Sequence, residues 1–96
     1  MTGHMNTKII EPSGQETEII PKNGKHFSLK EMQDIVGGMI EMIRTNDNDY
    51  VLILNEEGKL DELPYNSKAT DLVNKCIMPS DYIVGTVLYS HRKYIK

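Results

Sequence analysis

Apolar residues occur in short runs along the chain, and polar turns separate these runs. The first two runs cover residues 8–11 and 16–20, and they end at Pro12 and Pro21. Short isoleucine-bearing runs that stop at a proline are typical of strands, because proline has no N–H to donate to a sheet. The pattern therefore predicts two short strands in the first quarter of the chain.

A helix start is predicted at Ser28. Glu31 follows three positions later, and this spacing is that of a capping box, in which each side chain accepts a backbone N–H of the first turn. Apolar residues then recur at helical spacing, and Gly37 ends the helix because glycine adopts the left-handed cap conformation at low cost. The predicted buried stripe consists of Leu29, Met32, Ile35 and Val36.

Two longer apolar runs follow, at residues 39–44 and 50–54. They flank a turn rich in Asn and Asp, which predicts a β-hairpin. Continuation of the helix through Gly37 and Gly38 is the competing interpretation. It would cost about 1 kcal/mol per glycine relative to alanine, so the strand is favoured.

The last third of the chain predicts one more helix and one more strand. Asn66 or Ser67 can cap a short helix that runs to Asn74. Residues 82–89 are rich in β-branched and aromatic side chains, as strands are, and Gly85 indicates a bulge or a close approach of backbones.

The predicted order is β-β-α-β-β-α-β, an α+β fold with two short helices packed on a small, mostly antiparallel sheet. Both faces of the hairpin strands carry apolar side chains, so one face can pack on helices and the other on a second subunit. We expect a vector-derived leader at residues 1–4, a single domain at 5–90 and a basic tail at 91–96. The leader is predicted because Gly-His-Met ends the opening segment.

The charge balance narrows the function classes. The formal net charge is −3, and acids are concentrated between residues 41 and 62. An acidic overall balance argues against non-specific nucleic-acid binding, which needs several phosphate-neutralising cations on one surface, and the basic tail is the exception. No apolar run approaches the roughly 18–20 residues of a membrane span. The single cysteine disfavours a secreted disulfide scaffold, so we expect a cytoplasmic protein.

The segment from Asn55 to Asn66 is the strongest candidate for a specific site, because it directly follows the most apolar strand. We predict that Asn55, Glu56, Lys59 and Asn66 contact a ligand. Amides donate and accept hydrogen bonds, the lysine can meet an anion, and the carboxylate can accept from a cation or a base edge. In the alternative interpretation, Asn55 and Asn66 only satisfy backbone groups of a turn and a helix cap.

No catalytic or metal-binding signature is present in the sequence. A structural zinc site needs four nitrogen or sulfur ligands, whereas the chain offers Cys76 and three scattered histidines. Cys76 next to Lys75 is the one nucleophile candidate, and a lone cysteine is more often a small buried apolar residue. The paired acids at 56–57 and 61–62 lie in a turn where water solvates them, which disfavours acid–base catalysis.

Several segments together resemble a family of small proteins catalogued only as a domain of unknown function. They are Val36-Gly37-Gly38 with Ile40-Glu41, the run Asn55-Glu56-Glu57-Gly58-Lys59-Leu60, Leu63-Pro64 with Asn66 and Ala69, and Ile83-Val84-Gly85-Thr86-Val87. The resemblance extends from about residue 27 to residue 88. It implies a compact α+β fold and an origin in bacteriophages, plasmids or conjugative elements of gut bacteria, and it supplies no reaction.

We therefore predict a small non-enzymatic binding module, encoded on a mobile element, that captures a host protein or a small polar metabolite without a cofactor. A more specific version is a sponge for nucleotide immune signals, in which a homo-oligomer would form pockets between subunits. A nucleic-acid-associated protein is the second class, because tyrosines and cations alternate in residues 89–96. A small hydrolase that uses the paired acids is the third.

Overall fold

The structure, a computed structural model, describes residues 6–96, so the expected leader lies outside the described residues. The elements in chain order are β1 (Lys8–Ile10), β2 (Glu16–Glu18), α1 (Leu29–Val36), β3 (Ile40–Arg44), β4 (Tyr50–Asn55), α2 (Ser67–Val73) and β5 (Val87–His91), followed by a 3₁₀ turn at Arg92–Tyr94. The predicted α+β class and the order β-β-α-β-β-α-β are confirmed.

The five strands form one antiparallel sheet in the order β2-β1-β5-β4-β3. The last strand in sequence, β5, lies at the centre and pairs with both β1 and β4. β3 and β4 form the predicted hairpin, with Ile40 opposite Asn55 and Arg44 opposite Val51. Within the described residues, β2 and β3 are therefore the two edges of the sheet.

β4 is buried on both faces. Tyr50 and Leu52 belong to one apolar cluster, and Val51 and Ile53 belong to another, because successive side chains of a strand point to opposite faces. None of these four residues is more than 8% exposed. This two-sided burial explains why β4 is a continuous apolar run and not an alternating one.

The two helices lie on opposite faces of the sheet. The cluster on the α1 face contains Phe27, Val36, Val51, Ile53 and Leu88. The cluster on the α2 face contains Ile10, Tyr50, Leu52, Ala69, Val73, Ile83, Val87 and Tyr89. The chain therefore covers the centre of both faces with its own helices, and the second subunit stays a prediction.

The predicted capping box of α1 is present. The Ser28 hydroxyl accepts from the Glu31 N–H at 3.0 Å, and the Glu31 carboxylate accepts from the Ser28 N–H at 2.8 Å. Gly37 ends the helix with φ 84°. Leu29, predicted on the buried stripe, is 56% exposed, so the buried face of α1 begins with its second turn.

β5 begins later than the sequence pattern predicts. Residues 82–86 bond to the segment around α2, because the Thr70 hydroxyl accepts from the Ile83 N–H at 2.9 Å and the Pro64 carbonyl accepts from the Gly85 N–H at 2.7 Å. Gly85, with φ 80°, then turns the chain into the strand. Gly85 is thus the close backbone approach that the sequence indicates.

The residues expected to form a basic tail are part of the packed structure. His91 is the last residue of β5, and the Tyr94 carbonyl accepts from the Phe27 N–H at 2.9 Å. The rings of Tyr94 and Phe27 meet edge to face with centroids 6.0 Å apart. Ile95 packs against the apolar cluster on the α1 face.

Asn66 connects three parts of the fold. Its side-chain amide is fully buried and donates to the carbonyls of Ile10 at 3.0 Å and Gly85 at 2.8 Å. Its side-chain oxygen accepts from the Ala69 N–H at 3.0 Å and so caps α2. One side chain therefore joins the end of β1, the turn before β5 and the start of α2.

Replacing Asn66→Asp tests whether this residue does more than cap the helix. The aspartate keeps the oxygen that accepts from Ala69, but its second oxygen faces two carbonyls. We expect the free energy of unfolding to fall by about 3 kcal/mol, because buried carbonyls lose their donors beside a buried charge. Urea unfolding at pH 7 measures this, with Ser67→Ala as the neighbouring control. A variant as stable as the parent would show that capping is the whole role of Asn66.

Candidate ligand-binding pocket

A pocket of about 350 Å³ opens on the α2 face of the sheet, beside the β3–β4 hairpin. Its apolar wall consists of Ile43, Leu54, Leu60, Ile77, Ile83 and Val84. Its polar lining consists of Glu41, Asn55, Glu56, Glu57, Lys59, Asp81 and Tyr82. Small-ligand sites have this volume and this mixture of an apolar wall with a few polar groups.

Sheet topology brings these distant residues together. β4 and β5 are antiparallel, so the loop that leaves β4 and the segment that enters β5 lie at the same end of the sheet. Side chains alternate between the two faces along β3, and Glu41 and Ile43 are the ones that face the pocket. Glu41 lies opposite Leu54 in the hairpin, which places it at the pocket edge.

The loop after β4 is held in a fixed shape. The Asn55 carbonyl accepts from the Gly58 N–H at 3.1 Å, and the Gly58 carbonyl accepts from the Leu63 N–H at 2.9 Å. Glu62 closes the last turn in the left-handed region, with φ 57°. Successive hydrogen-bonded turns of this kind give the pocket a wall that is defined before any ligand arrives.

The loop also packs closely on the segment before β5. A Cβ on Gly58 would lie 2.9 Å from Val84 Cγ2, and a Cβ on Gly85 would lie 2.8 Å from Leu63 Cδ1. Both distances are shorter than ordinary carbon–carbon contacts. Glycine at these two positions therefore allows the loop after β4 and the segment before β5 to pack against each other.

Of the four predicted ligand-contacting residues, the pocket brings together Asn55, Glu56 and Lys59, and Asn66 does not line it. The Asn55 amide donates to the Val36 carbonyl at 3.2 Å, and its oxygen accepts from the Glu57 N–H at 2.8 Å. Asn55 and Asn66 both bond to backbone groups of the chain, as the alternative interpretation expects. Contact with a ligand stays a prediction for all four residues.

Lys59 lines the pocket together with its two contacts, Asp81 and Tyr82. Its ammonium pairs with the Asp81 carboxylate and lies 4.5 Å from the centroid of the Tyr82 ring. The ion pair with Lys59, followed by the Tyr82 N–H, holds the pKa of Asp81 below its usual value. The charge of Lys59 is therefore matched within the chain.

The remaining charges at the pocket are negative. Glu41, Glu56 and Glu57 are exposed, and no hydrogen bond or ion pair engages their carboxylates within residues 6–96. Since Lys59 and Asp81 balance each other, these three carboxylates give the pocket an excess of negative charge. Water solvates them in the absence of a ligand.

Sequence reasoning missed Glu41, Asp81 and Tyr82 as pocket residues. Glu41 had a local signal, because it is the one charged residue between the apolar positions of β3. Asp81 and Tyr82 had none, since only the pairing of β4 with β5 brings them to the loop. Cys76, interpreted as a buried apolar residue, is exposed.

A family match covers almost the whole chain. Residues 5–93 match the model of the family described as "Domain of unknown function (DUF3846)". The chain belongs to this family. No curated protein and no solved structure gives a significant match. The family assignment agrees with the resemblance seen in the sequence and adds no reaction to it.

Two further findings concern membranes and metals. In the described part of the chain, no helix is long and apolar enough to cross a membrane. Among the same residues, no three His, Cys, Asp or Glu side chains come together in a way that could hold a metal ion.

Replacing Gly85→Ala tests the close packing of the loop after β4 on the segment before β5. Gly24 provides the matched control, because it has φ 77° and a Cβ added there would meet nothing within 4 Å, so Gly24→Ala introduces backbone strain alone. We expect Gly85→Ala to lower the free energy of unfolding by about 2 kcal/mol more than Gly24→Ala, since it adds overpacking to the strain. Equal losses in urea unfolding would contradict the contact with Leu63.

Replacing Asp81→Asn tests the ion pair with Lys59. The pair lowers the pKa of Asp81, so its stabilisation is present above the ordinary aspartate pKa and is lost as the pH falls through the lowered value. On acidification, the free energy of unfolding should fall less in the variant than in the parent protein. Since both side chains are exposed by 40% or more, we expect this difference to be only about 0.5 kcal/mol. Thermal unfolding between acid and neutral pH measures it, and the exposed Asp61→Asn is the control.

Proposed function

We propose that the protein is a non-enzymatic binding module whose pocket captures a positively charged, partly apolar segment of a partner protein. The observation that carries this proposal is the combination of an apolar wall with the unmatched carboxylates of Glu41, Glu56 and Glu57. An ammonium or guanidinium group can meet the carboxylates while its aliphatic stem covers the wall. The resemblance to phage and plasmid proteins supports a partner in the bacterial host.

A nucleotide is a less suitable ligand for this pocket. Phosphate groups need cations or clustered backbone N–H donors. The only cation in the described pocket lining, Lys59, already pairs with Asp81, and three carboxylates would repel a phosphate. The nucleotide-sponge hypothesis therefore has less support from the geometry than capture of a cation.

The nucleic-acid hypothesis also has limited support. Arg92 donates through Nε to the Asn48 carbonyl, and Lys93 lies 5.4 Å from the centroid of the Tyr94 ring. Tyr94 packs against the apolar cluster on the α1 face, so its ring is committed to the fold and not to base stacking. A hydrolase is disfavoured because Glu56 and Glu57 are exposed to water and not desolvated.

Charge-reversed peptides test the proposed function. We expect an end-capped Leu-Lys-Leu-Lys peptide to bind and its Leu-Glu-Leu-Glu counterpart not to bind. The double variant Glu41→Gln, Glu57→Gln should weaken binding about tenfold, since it removes two of the attractive charges. Added salt should weaken binding to the parent protein as well. Titration calorimetry measures these affinities.

The matched control is the double variant Glu11→Gln, Glu18→Gln, which changes the net charge equally but alters acids that do not line the pocket. It should bind the lysine peptide like the parent protein. Equal weakening by both double variants would mean that the peptide responds to the overall charge, and the proposed pocket would then be rejected.

A further inference from the structure

The outer edge of β3 is open. In the described part of the chain, no hydrogen bond outside the β3–β4 ladder involves the backbone of residues 40–44. The five β3 residues pair continuously with β4, so no bulge distorts the edge, and the strand contains no proline. A regular open edge of this kind is a template for another strand.

The ladder determines which groups are available. The Met39 carbonyl accepts from the Glu56 N–H at 2.8 Å, so the hydrogen-bonded pairs with β4 fall at odd-numbered residues of β3. The N–H and C=O groups of Ile40, Met42 and Arg44 consequently point away from β4. These three residues can exchange hydrogen bonds with an added strand.

The opposite edge of the sheet is different. β2 has only three residues, and its Glu16 forms ion pairs with Lys8 of β1 at 2.7 Å and with Lys68 of α2 at 3.0 Å. Short, charged edge strands resist the addition of another strand. The two edges are therefore not equivalent, and β3 is the edge better suited to the addition of a strand.

The two faces of β3 favour different side chains on an added strand. On the pocket face, Glu41 offers an unmatched carboxylate beside the apolar wall. On the α1 face, Met42 is 53% exposed, and the preceding Met39 is 59% exposed. Exposed methionines at a binding surface adapt to apolar side chains of different shapes. A strand on this edge would thus gain from cations on one face and apolar residues on the other.

A second copy of the chain fits this edge less well. The register that would pair all five residues of two antiparallel β3 strands is centred on Met42. It places each Glu41 opposite Ile43 of the other copy and makes the two Glu41 side chains diagonal neighbours, about 7–8 Å apart. Repulsion between the two Glu41 carboxylates opposes self-pairing. A lysine or arginine of a different strand, placed diagonally to Glu41, would instead be attracted to its carboxylate.

We propose that an extended partner segment of alternating cationic and apolar residues binds along β3 as a sixth strand. Its backbone bonds to Ile40, Met42 and Arg44, its cationic side chains reach Glu41 and the pocket, and its apolar side chains contact Met42. The inference rests on the proposed function and specifies the conformation and pattern of the captured segment. Backbone pairing provides affinity, and the alternate side chains provide specificity.

Two heptapeptides of the same composition test this binding mode. One alternates lysine and valine, and the other has the four lysines and three valines in separate blocks. We expect the alternating peptide to bind the intact protein at least tenfold more tightly. Amide exchange measured by NMR should slow at least tenfold at Ile40, Met42 and Arg44 when this peptide is bound, while the β2 amides stay unchanged.

The outcomes separate this inference from the proposed function. Equal affinity of the two peptides without slowed exchange on β3 overturns strand addition; the proposed function still stands if Glu41→Gln, Glu57→Gln weakens that binding. Slowed exchange on β3 without any effect of the double variant supports strand addition and overturns the charged pocket. In the peptide-free protein, exchange at the β3 amides that becomes slower as the protein concentration rises would mean that a second copy occupies the edge. That result would overturn the inference.

Discussion

Burial of both faces of β4 is the constraint on which the rest of the structure depends. A strand with apolar side chains in both directions needs cover on each side, and a chain of this length has two short helices to supply it. α1 and α2 consequently lie on opposite faces, and β4 and its neighbour β5 form the shared centre of both apolar clusters.

The pocket is a consequence of the same arrangement. α2 covers the sheet face beside β4 and β5, but the outer part of the hairpin extends past it, where Ile43 and Leu54 are partly buried against the cluster. The loop after β4 and the segment before β5 complete the lining of the pocket, and the ion pair between Lys59 and Asp81 connects them. The candidate site therefore lies on the part of the α2 face that loops cover and α2 does not.

Local signals in the sequence were sufficient for the element order and for the capping box at Ser28, because they depend on neighbours a few residues away. They were insufficient for β5, where hydrogen bonds to Pro64 and Thr70 divert residues 82–86 from the sheet. The composition of the loop after β4 predicts it as the candidate region. The roles of individual residues within it, such as the commitment of the Asn55 amide to the Val36 carbonyl, depend on contacts between segments that composition does not record.

The central position of β5 has a consequence for the order of events during synthesis. The β1–β2 and β3–β4 hairpins can form as soon as their own residues are available, but β5 is the strand that joins them into one sheet. Isolated two-stranded hairpins are marginally stable in water. The sheet can therefore close only after residues 87–91 have left the ribosome, and before that point the apolar faces of β4 lack the neighbouring strand that helps to cover them.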